Sequence, residues 1–304
     1  MPARVLLFGA TGFLGSQVAA ALAEDPRVGV LVRAGRSAPD GKDWIRHDLV
    51  AAGTDELPAV LRRVRPDAVI NCAGRLSGRT TELVEANVLV TARLLDAIAE
   101  HARGARLVVL GSAAEYGVVP VGQPVAENDP TSPVAPYGAT RLASTQLARL
   151  AGEQGRVDAV ALRLFNPVGP GLPAENLLGR AAAGLRDAMA RGRDHIRLGP
   201  LDAHRDFVDV RDVATAVREA ALVDWLKDRV LNVGSGIAVA ARDAVRLLAE
   251  TAGFRGEIHE SEPAPTRSSA VNWIAADLTR IRQALDWAPR YDLRAMVRAA
   301  WEQG

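Results

Sequence analysis

The sequence predicts an α/β fold: a doubly wound parallel sheet followed by a smaller, mostly helical C-terminal lobe. Three observations carry this expectation. Short apolar runs alternate with helical patterns through the first half of the chain. Those runs are continuous in Val, Leu and Ile, as strands covered on both faces are. The first run ends in a glycine cluster that opens a helix.

Val5–Phe8 is the first strand, and it leads into Gly9-Ala10-Thr11-Gly12-Phe13-Leu14-Gly15 and a helix over 13–24. Glycines there permit a tight turn, close approach of backbone to a pyrophosphate, and packing of helix on strand. The helix start offers free N–H groups and the positive end of a dipole. A strand before the cluster and a helix after it give the G-x-x-G-x-x-G spacing its meaning. Gly9, Thr11, Gly12, Phe13, Leu14 and Gly15 are therefore expected to bind a dinucleotide on a Rossmann-type unit.

The second strand, Val28–Val32, is followed by Arg33 and Arg36, with no acid before Asp40. An acid at that strand end holds the ribose 2′-hydroxyl of NAD, whereas arginine accommodates a 2′-phosphate. NADPH is expected over NADH, with a solvated arginine loop as the alternative. A short third strand precedes His47-Asp48-Leu49, which places Asp48 and Leu49 near an adenine. A helix over 55–64 follows, then the strand Ala68–Asn71. Cys72, Ala73 and Gly74 are small enough to let backbone pass beside the cofactor. A helix over 80–102, the strand Leu107–Leu110, a helix over 137–153 and the strand Ala159–Leu164 complete the alternation.

Beyond Asn166 the pattern loosens, with Gly and Pro at 167–173, 199–200 and 234–236. The expected division is 1–166 with 206–233 as the dinucleotide-binding unit. Residues 167–205 with 234–304 form the smaller lobe, packed over the carboxyl ends of the strands. Ligands of open α/β sheets bind there.

Of the 304 residues, 48% are apolar and 24% charged, an ordinary globular composition. A net charge of +1 provides no attraction for nucleic acid or an anionic membrane. Cys72 is the sole cysteine, which excludes an intrachain disulfide. His195 and His204 read as surface or packing residues, and no spacing suggests a metal. The opening residues lack a secretory pattern, and no apolar run is long enough to span a bilayer. A cytoplasmic protein is expected.

Chemistry is concentrated in Tyr137 and Arg141, one turn apart on a helix starting near Pro136. A phenol beside a permanent cation favours the phenolate. The bland alternative is a solvated pair, because only Lys42 and Lys227 are lysines and arginine is this chain's usual cation.

The ordered landmarks Gly9–Gly15, Asn71–Gly74, Asn87, Gly111–Gly117, Tyr137, Arg163–Gly171, His204–Asp212 and Asn232–Gly236 resemble one superfamily. It is that of extended short-chain dehydrogenases/reductases, of the NAD-dependent epimerase/dehydratase type. The likeness is nearest to the GDP-4-keto-6-deoxy-mannose reductases, especially over 199–212 and 267–290. The resemblance implies an NADPH-dependent ketoreductase with a nucleotide-diphosphate 4-keto-6-deoxy sugar as substrate. In it Ser112 hydrogen-bonds the carbonyl and Tyr137 supplies the proton. Arg141 stands where the family has the lysine that binds the nicotinamide ribose, and Asn87 joins the cofactor site. Asn166, Arg205 and Arg267 are implied at the substrate, the two arginines on its diphosphate.

Family dehydratases carry acidic residues just after the serine position. Here those places hold Ala113 and Ala114, and Glu115 should point elsewhere if the segment leaves the strand extended. Dehydration is disfavoured. The loop Arg75–Thr80 resembles its family counterpart but is shorter, so a polycyclic natural-product ketone is the alternative substrate. A nucleotide-sugar epimerase is a second possible activity, and a non-catalytic NADP(H)-binding regulator is the reading without catalysis. The family also implies a homodimer through two helices, one being 137–153 with Leu142, Leu147 and Leu150.

Overall fold

A computed structural model describes residues 1–37, 39, 41–51, 56–263 and 270–303. The central sheet has seven parallel strands in the order β10-β6-β5-β4-β1-β2-β3. These are β1 (Ala3–Phe8), β2 (Val28–Gly35), β3 (Trp44–Arg46), β4 (Ala68–Asn71), β5 (Arg106–Ser112), β6 (Asp158–Leu164) and β10 (Val230–Val233). Helices α1 (Phe13–Ala23), α2 (Glu56–Val64), α3 (Thr80–Leu83), α4 (Val90–His101) and α5 (Pro136–Glu153) fall in the intervals the sequence indicates.

The alternating direction of strand side chains divides the sheet between two cores. Val5, Leu7, Ile70, Val108 and Leu162 face one, which includes Val213 and Val217 of α7 (Val210–Leu222). Leu6, Phe8, Val69, Val109 and Ala161 face the other, with Leu61 of α2, Leu94 of α4 and Ala148 of α5. Both faces are buried, which explains the unbroken apolar runs.

The later half adds short strands to the expected, mostly helical lobe. A three-stranded sheet in the order β11-β9-β7 is built from β7 (Asn166–Val168), β9 (His204–Asp209) and β11 (Ala238–Ala240). The strands β8 (His195–Leu198) and β12 (Glu257–Glu260) form a separate parallel pair. Strands of three to six residues are too short to display a period. A third core joins these strands to α6 (Leu177–Ala190), α8 (Ala241–Ala252) and α10 (Leu293–Glu302). Residues 271–287, grouped by sequence with the smaller lobe, instead pack into the first core. Val271, Ile274, Leu278, Ile281 and Trp287 bury there, the segment including α9 (Thr279–Leu285).

Asp25 ties the turn between α1 and β2 to α7. It accepts from Arg27 at 2.8 and 3.0 Å and lies 3.2 Å from Arg218. The Arg27 hydrogen bond holds its carboxyl down at about 2. A depressed folded pKa stabilises the fold above the unfolded value, and that contribution is lost as pH falls through the folded one. Asp25→Asn is expected to cost about 1–2 kcal/mol at pH 7, a gap that closes as pH falls from about 4 to 2. Urea unfolding across that range checks it, and a gap unchanged with pH would contradict the assignment.

Candidate active site

The glycine loop is built by close contact. Gly9 has φ +76°, and a Cβ on it would sit 2.7 Å from the Ala73 nitrogen. A Cβ on Gly15 would overlap the Gly9 carbonyl oxygen. These contacts press the loop onto the end of β4 and α1 onto the loop. Gly12 caps α1 in an extended conformation with no side-chain hydrogen bond. The first N–H groups of α1 are thus left for an anion, a fit to a dinucleotide pyrophosphate. Thr11 and Gly12 are exposed, and Phe13 and Leu14 half-buried.

β2 runs three residues past the expected end, because Ala34 and Gly35 pair with β3. A Cβ on Gly35 would lie 3.9 Å from Thr11 Oγ1, so the tip of β2 borders the glycine loop. Exposed Arg36 follows that tip directly. Arg33 sits back along the strand, its guanidinium 5.8 Å from the Trp44 ring centroid. Asp48 Oδ1 accepts from the Val50 backbone at 2.9 Å, closing a turn, and Leu49 is buried in the second core. Burial pushes the Cys72 thiol up to about 12, so it stays protonated.

At the chemical end, β5 finishes in Ser112 and a 3₁₀ turn, Ala113–Glu115. The segment is therefore not extended, yet Glu115 does turn away from the site. It is fully buried and accepts from Ser112 N at 2.8 Å, Thr145 Oγ1 at 2.8 Å and Arg163 Nε at 2.7 Å. Ser112 Oγ accepts from Ala114 N at 3.2 Å. Tyr116 is also buried; it donates to Asn232 Oδ1 at 2.7 Å and accepts from Arg163 Nη1 at 3.0 Å. Burial raises its phenol to about 12, which removes it as a competitor for proton transfer.

α5 begins with Ala135 extended and Pro136 in the first turn, where a missing N–H costs nothing. A Cβ on Gly138 would overlap the Ala114 carbonyl, so the first turn of α5 lies against the Ser112 turn. Tyr137 and Arg141 are both half-buried, with the guanidinium 5.5 Å from the phenol ring centroid. Arg141 Nη1 donates to the Leu110 carbonyl at 3.0 Å. Among the described residues, Arg141 Nε and His47 Nε2 are the buried side-chain nitrogens without a partner.

Asn87, expected at the cofactor, holds the surrounding backbone through its own hydrogen bonds. It lies in a π-helical segment, Val84–Leu89, that interrupts the expected 80–102 helix. Its Oδ1 accepts from Arg75 N at 3.0 Å, and its Nδ2 donates to Arg75 O and Thr140 Oγ1, both at 3.1 Å. The side chain thus fixes the 75–80 loop and α5. Periodicity alone could not locate it, although π segments recur at functional sites.

Toward the substrate end, Asn166 Nδ2 donates to the Asp206 carbonyl at 2.8 Å. Arg205 is half-buried, donates to the His204 carbonyl at 2.9 Å, and is held below the usual guanidinium range by burial. Arg267 lies outside the described residues. Asp206 accepts from Ser235 N, Ser235 Oγ, Gly236 N and Ala276 N, which explains the Asn232–Gly236 landmark as a scaffold. His195 stacks on His259 at 4.8 Å, and His204 is exposed. No group of metal-ligating side chains occurs among the described residues, and no described helix is long and apolar enough to cross a membrane. A cavity lined by Arg106, Asp158, Trp225 and Arg229 opens at the amino ends of the strands, the opposite end from Ser112.

Residues 5–234 match the family described as NAD dependent epimerase/dehydratase. A dTDP-6-deoxy-L-talose 4-dehydrogenase (NAD(P)(+)) of Kitasatospora kifunensis is 43% identical over 99% of this chain and 95% of its own. Two solved structures are similar throughout. RMD from Pseudomonas aeruginosa, complexed with NADPH, has TM-score 0.81 and 26% identity over 99% of this chain and 98% of its own. MoeE5, in complex with UDP-glucose and NAD, has TM-score 0.82 and 29% identity at the same coverage.

Removing one partner of a buried ion pair leaves the other charge uncompensated. Glu115→Ala is therefore expected to destabilise the fold by about 3–5 kcal/mol. Urea unfolding measures it, and a loss below about 1 kcal/mol, the range of exposed pairs, would contradict the role given to Glu115.

Proposed function

From its place in the NAD dependent epimerase/dehydratase family, to which the chain belongs as an NAD(P)-dependent oxidoreductase, we propose that it is an NADPH-dependent ketoreductase. Its proposed substrate is a nucleotide-diphosphate 4-keto-6-deoxy sugar. One observation carries the reading: the turn at Ser112 packs against the helix start that bears Tyr137, with Arg141 over the phenol ring. The 4-dehydrogenase relative supports the substrate class, since its name describes the reverse reaction at position 4 of a 6-deoxy sugar nucleotide.

Gly9–Gly15 would hold the pyrophosphate, Arg36 with Arg33 the 2′-phosphate, and Arg141 the nicotinamide ribose. Bound NADPH supplies the hydride. Ser112 Oγ accepts from Ala114 N, which leaves its own O–H to donate to the substrate carbonyl. Tyr137 gives its phenolic proton to the oxygen as the carbonyl carbon gains hydride, and the product is a secondary alcohol. The resulting phenolate lies beside the Arg141 guanidinium, a cation that stays charged at any working pH. Solvent then restores the phenol proton. The two residues between Ser112 and Glu115 are alanines and Glu115 is bonded to Arg163, so none of the three positions after Ser112 offers a free carboxylate to drive elimination of water. Arg205 and Arg267 are proposed to hold the diphosphate, for which planar guanidinium groups are suited.

A homodimer is proposed through the face shared by α5 and the π-helical segment. Val84, Leu89 and Leu150 are exposed there, while Leu147 packs into the second core and Leu142 is half-buried.

Purified protein with a dTDP- or GDP-linked 4-keto-6-deoxy hexose is expected to oxidise NADPH, faster than NADH at equal subsaturating concentration. Tyr137→Phe should lower kcat by about 10²-fold or more while retaining NADPH binding. Undiminished turnover in that variant removes Tyr137 from the reaction. Sedimentation equilibrium should give twice the monomer mass, and a monomer at every concentration would exclude the dimer.

A further inference from the structure

Gly74 differs from Gly9 of the nucleotide loop. Its backbone is not in the left-handed region, so glycine is not required there by φ. What glycine provides is space. A Cβ at position 74 would stand 2.5 Å from Arg141 Nη2, 3.2 Å from Arg141 Cζ and 2.9 Å from Asn87 Oδ1. Asn87 is fixed by its three hydrogen bonds to Arg75 and Thr140. The guanidinium is the far end of a flexible side chain, so it is the group that would give way.

We propose that Gly74 is a positioning residue for Arg141. The missing side chain forms the slot in which the guanidinium lies, and the two residues act as one unit. In that slot Nη1 reaches the Leu110 carbonyl at 3.0 Å, and Nε is buried without a partner. A lysine ammonium is narrower than a planar guanidinium and would need no such slot. The inference rests on the proposed placement of Arg141 at the cofactor.

Four proteins test it: wild type, Gly74→Ala, Arg141→Lys and the double variant. Each is titrated with NADPH by fluorescence, assayed for kcat with the keto sugar, and unfolded in urea without cofactor. Gly74→Ala should weaken NADPH binding at least tenfold and lower kcat. Arg141→Lys sets its own level of NADPH binding and kcat, and the double variant should match that level, with no further loss from the alanine. In urea, the alanine should destabilise the Arg141 protein and not the Lys protein. An alanine variant that folds only in the Lys background is the same result in stronger form.

Equal losses in both backgrounds, failure to fold in both, or wild-type behaviour of Gly74→Ala would overturn the pairing. So would coupling in urea with unchanged NADPH affinity and kcat, which would make the contact structural only. If wild type binds no nicotinamide dinucleotide, the cofactor reading fails and this inference with it. Normal wild-type binding with an additive cycle overturns the Gly74 inference alone.

Discussion

The buried ion pair between Glu115 and Arg163 is the constraint around which the catalytic end is arranged. Two charges removed from water cost several kcal/mol each unless every hydrogen-bonding site is met. Here they are met from several elements at once. Glu115 takes the Ser112 N–H at the end of β5, Thr145 from α5 and Arg163 from β6. Arg163 in turn reaches Tyr116 and the Glu127 carbonyl. Satisfying the pair fixes the turn that carries Ser112 relative to the helix that carries Tyr137. Gly111 belongs to the same arrangement, since a Cβ on it would sit 2.5 Å from Glu115 Oε1 and 2.8 Å from Thr145 Oγ1. The carboxylate nearest the reacting centre in sequence is thus used for construction, which is why its presence does not imply elimination chemistry.

The opposite side of α5 is held with equal care. Asn87 bonds Thr140, and Thr91 bonds Ser144 at 2.7 Å, both between buried side chains. Thr140 also donates to the Tyr137 carbonyl at 2.9 Å, so the Asn87 contact is passed to the residue that carries the phenol. The π-helical widening before α4 is what brings Asn87 to this position while Thr91 continues down the same interface. A proton donor must be placed to within a fraction of an ångström, and α5 is gripped by β5, β6 and α4 together.

The sheet was legible in the sequence because its strands are buried on both faces and are separated by long amphipathic helices. The glycine loop was legible because Gly9 and Gly15 are demanded by contacts that only backbone can make. The small strands β7 to β9, β11 and β12 were not legible. They are short, and their order is set by pairing between segments far apart in sequence, such as β9 with both β7 and β11. The end of β2 was misplaced because Arg33 resembles a strand-ending loop residue, whereas it pairs with Trp44 on the neighbouring strand and its guanidinium lies 5.8 Å from that ring's centroid. Asn87 and Glu115 show the same limit. Sequence marks them as polar residues in meaningful places, but only packing reveals that their hydrogen bonds are committed to scaffold.

Arg141 joins the scaffold to the chemistry. Its Nη1 bond ends on Leu110, two residues before Ser112 on the same strand, so β5 is the common reference for the proposed carbonyl donor and for the cation. Because arginine stays protonated, the field at the phenol does not depend on which way the proton moves. In the proposed reaction Tyr137 gives its proton to the oxygen of the ketone or, as phenolate, takes one from an alcohol, and by microscopic reversibility the same residues would serve both directions. Nothing in this constellation favours reduction over oxidation. Direction would be set by the ratio of reduced to oxidised cofactor and of ketone to alcohol, so the proposed reductase reading is compatible with a relative named as a 4-dehydrogenase.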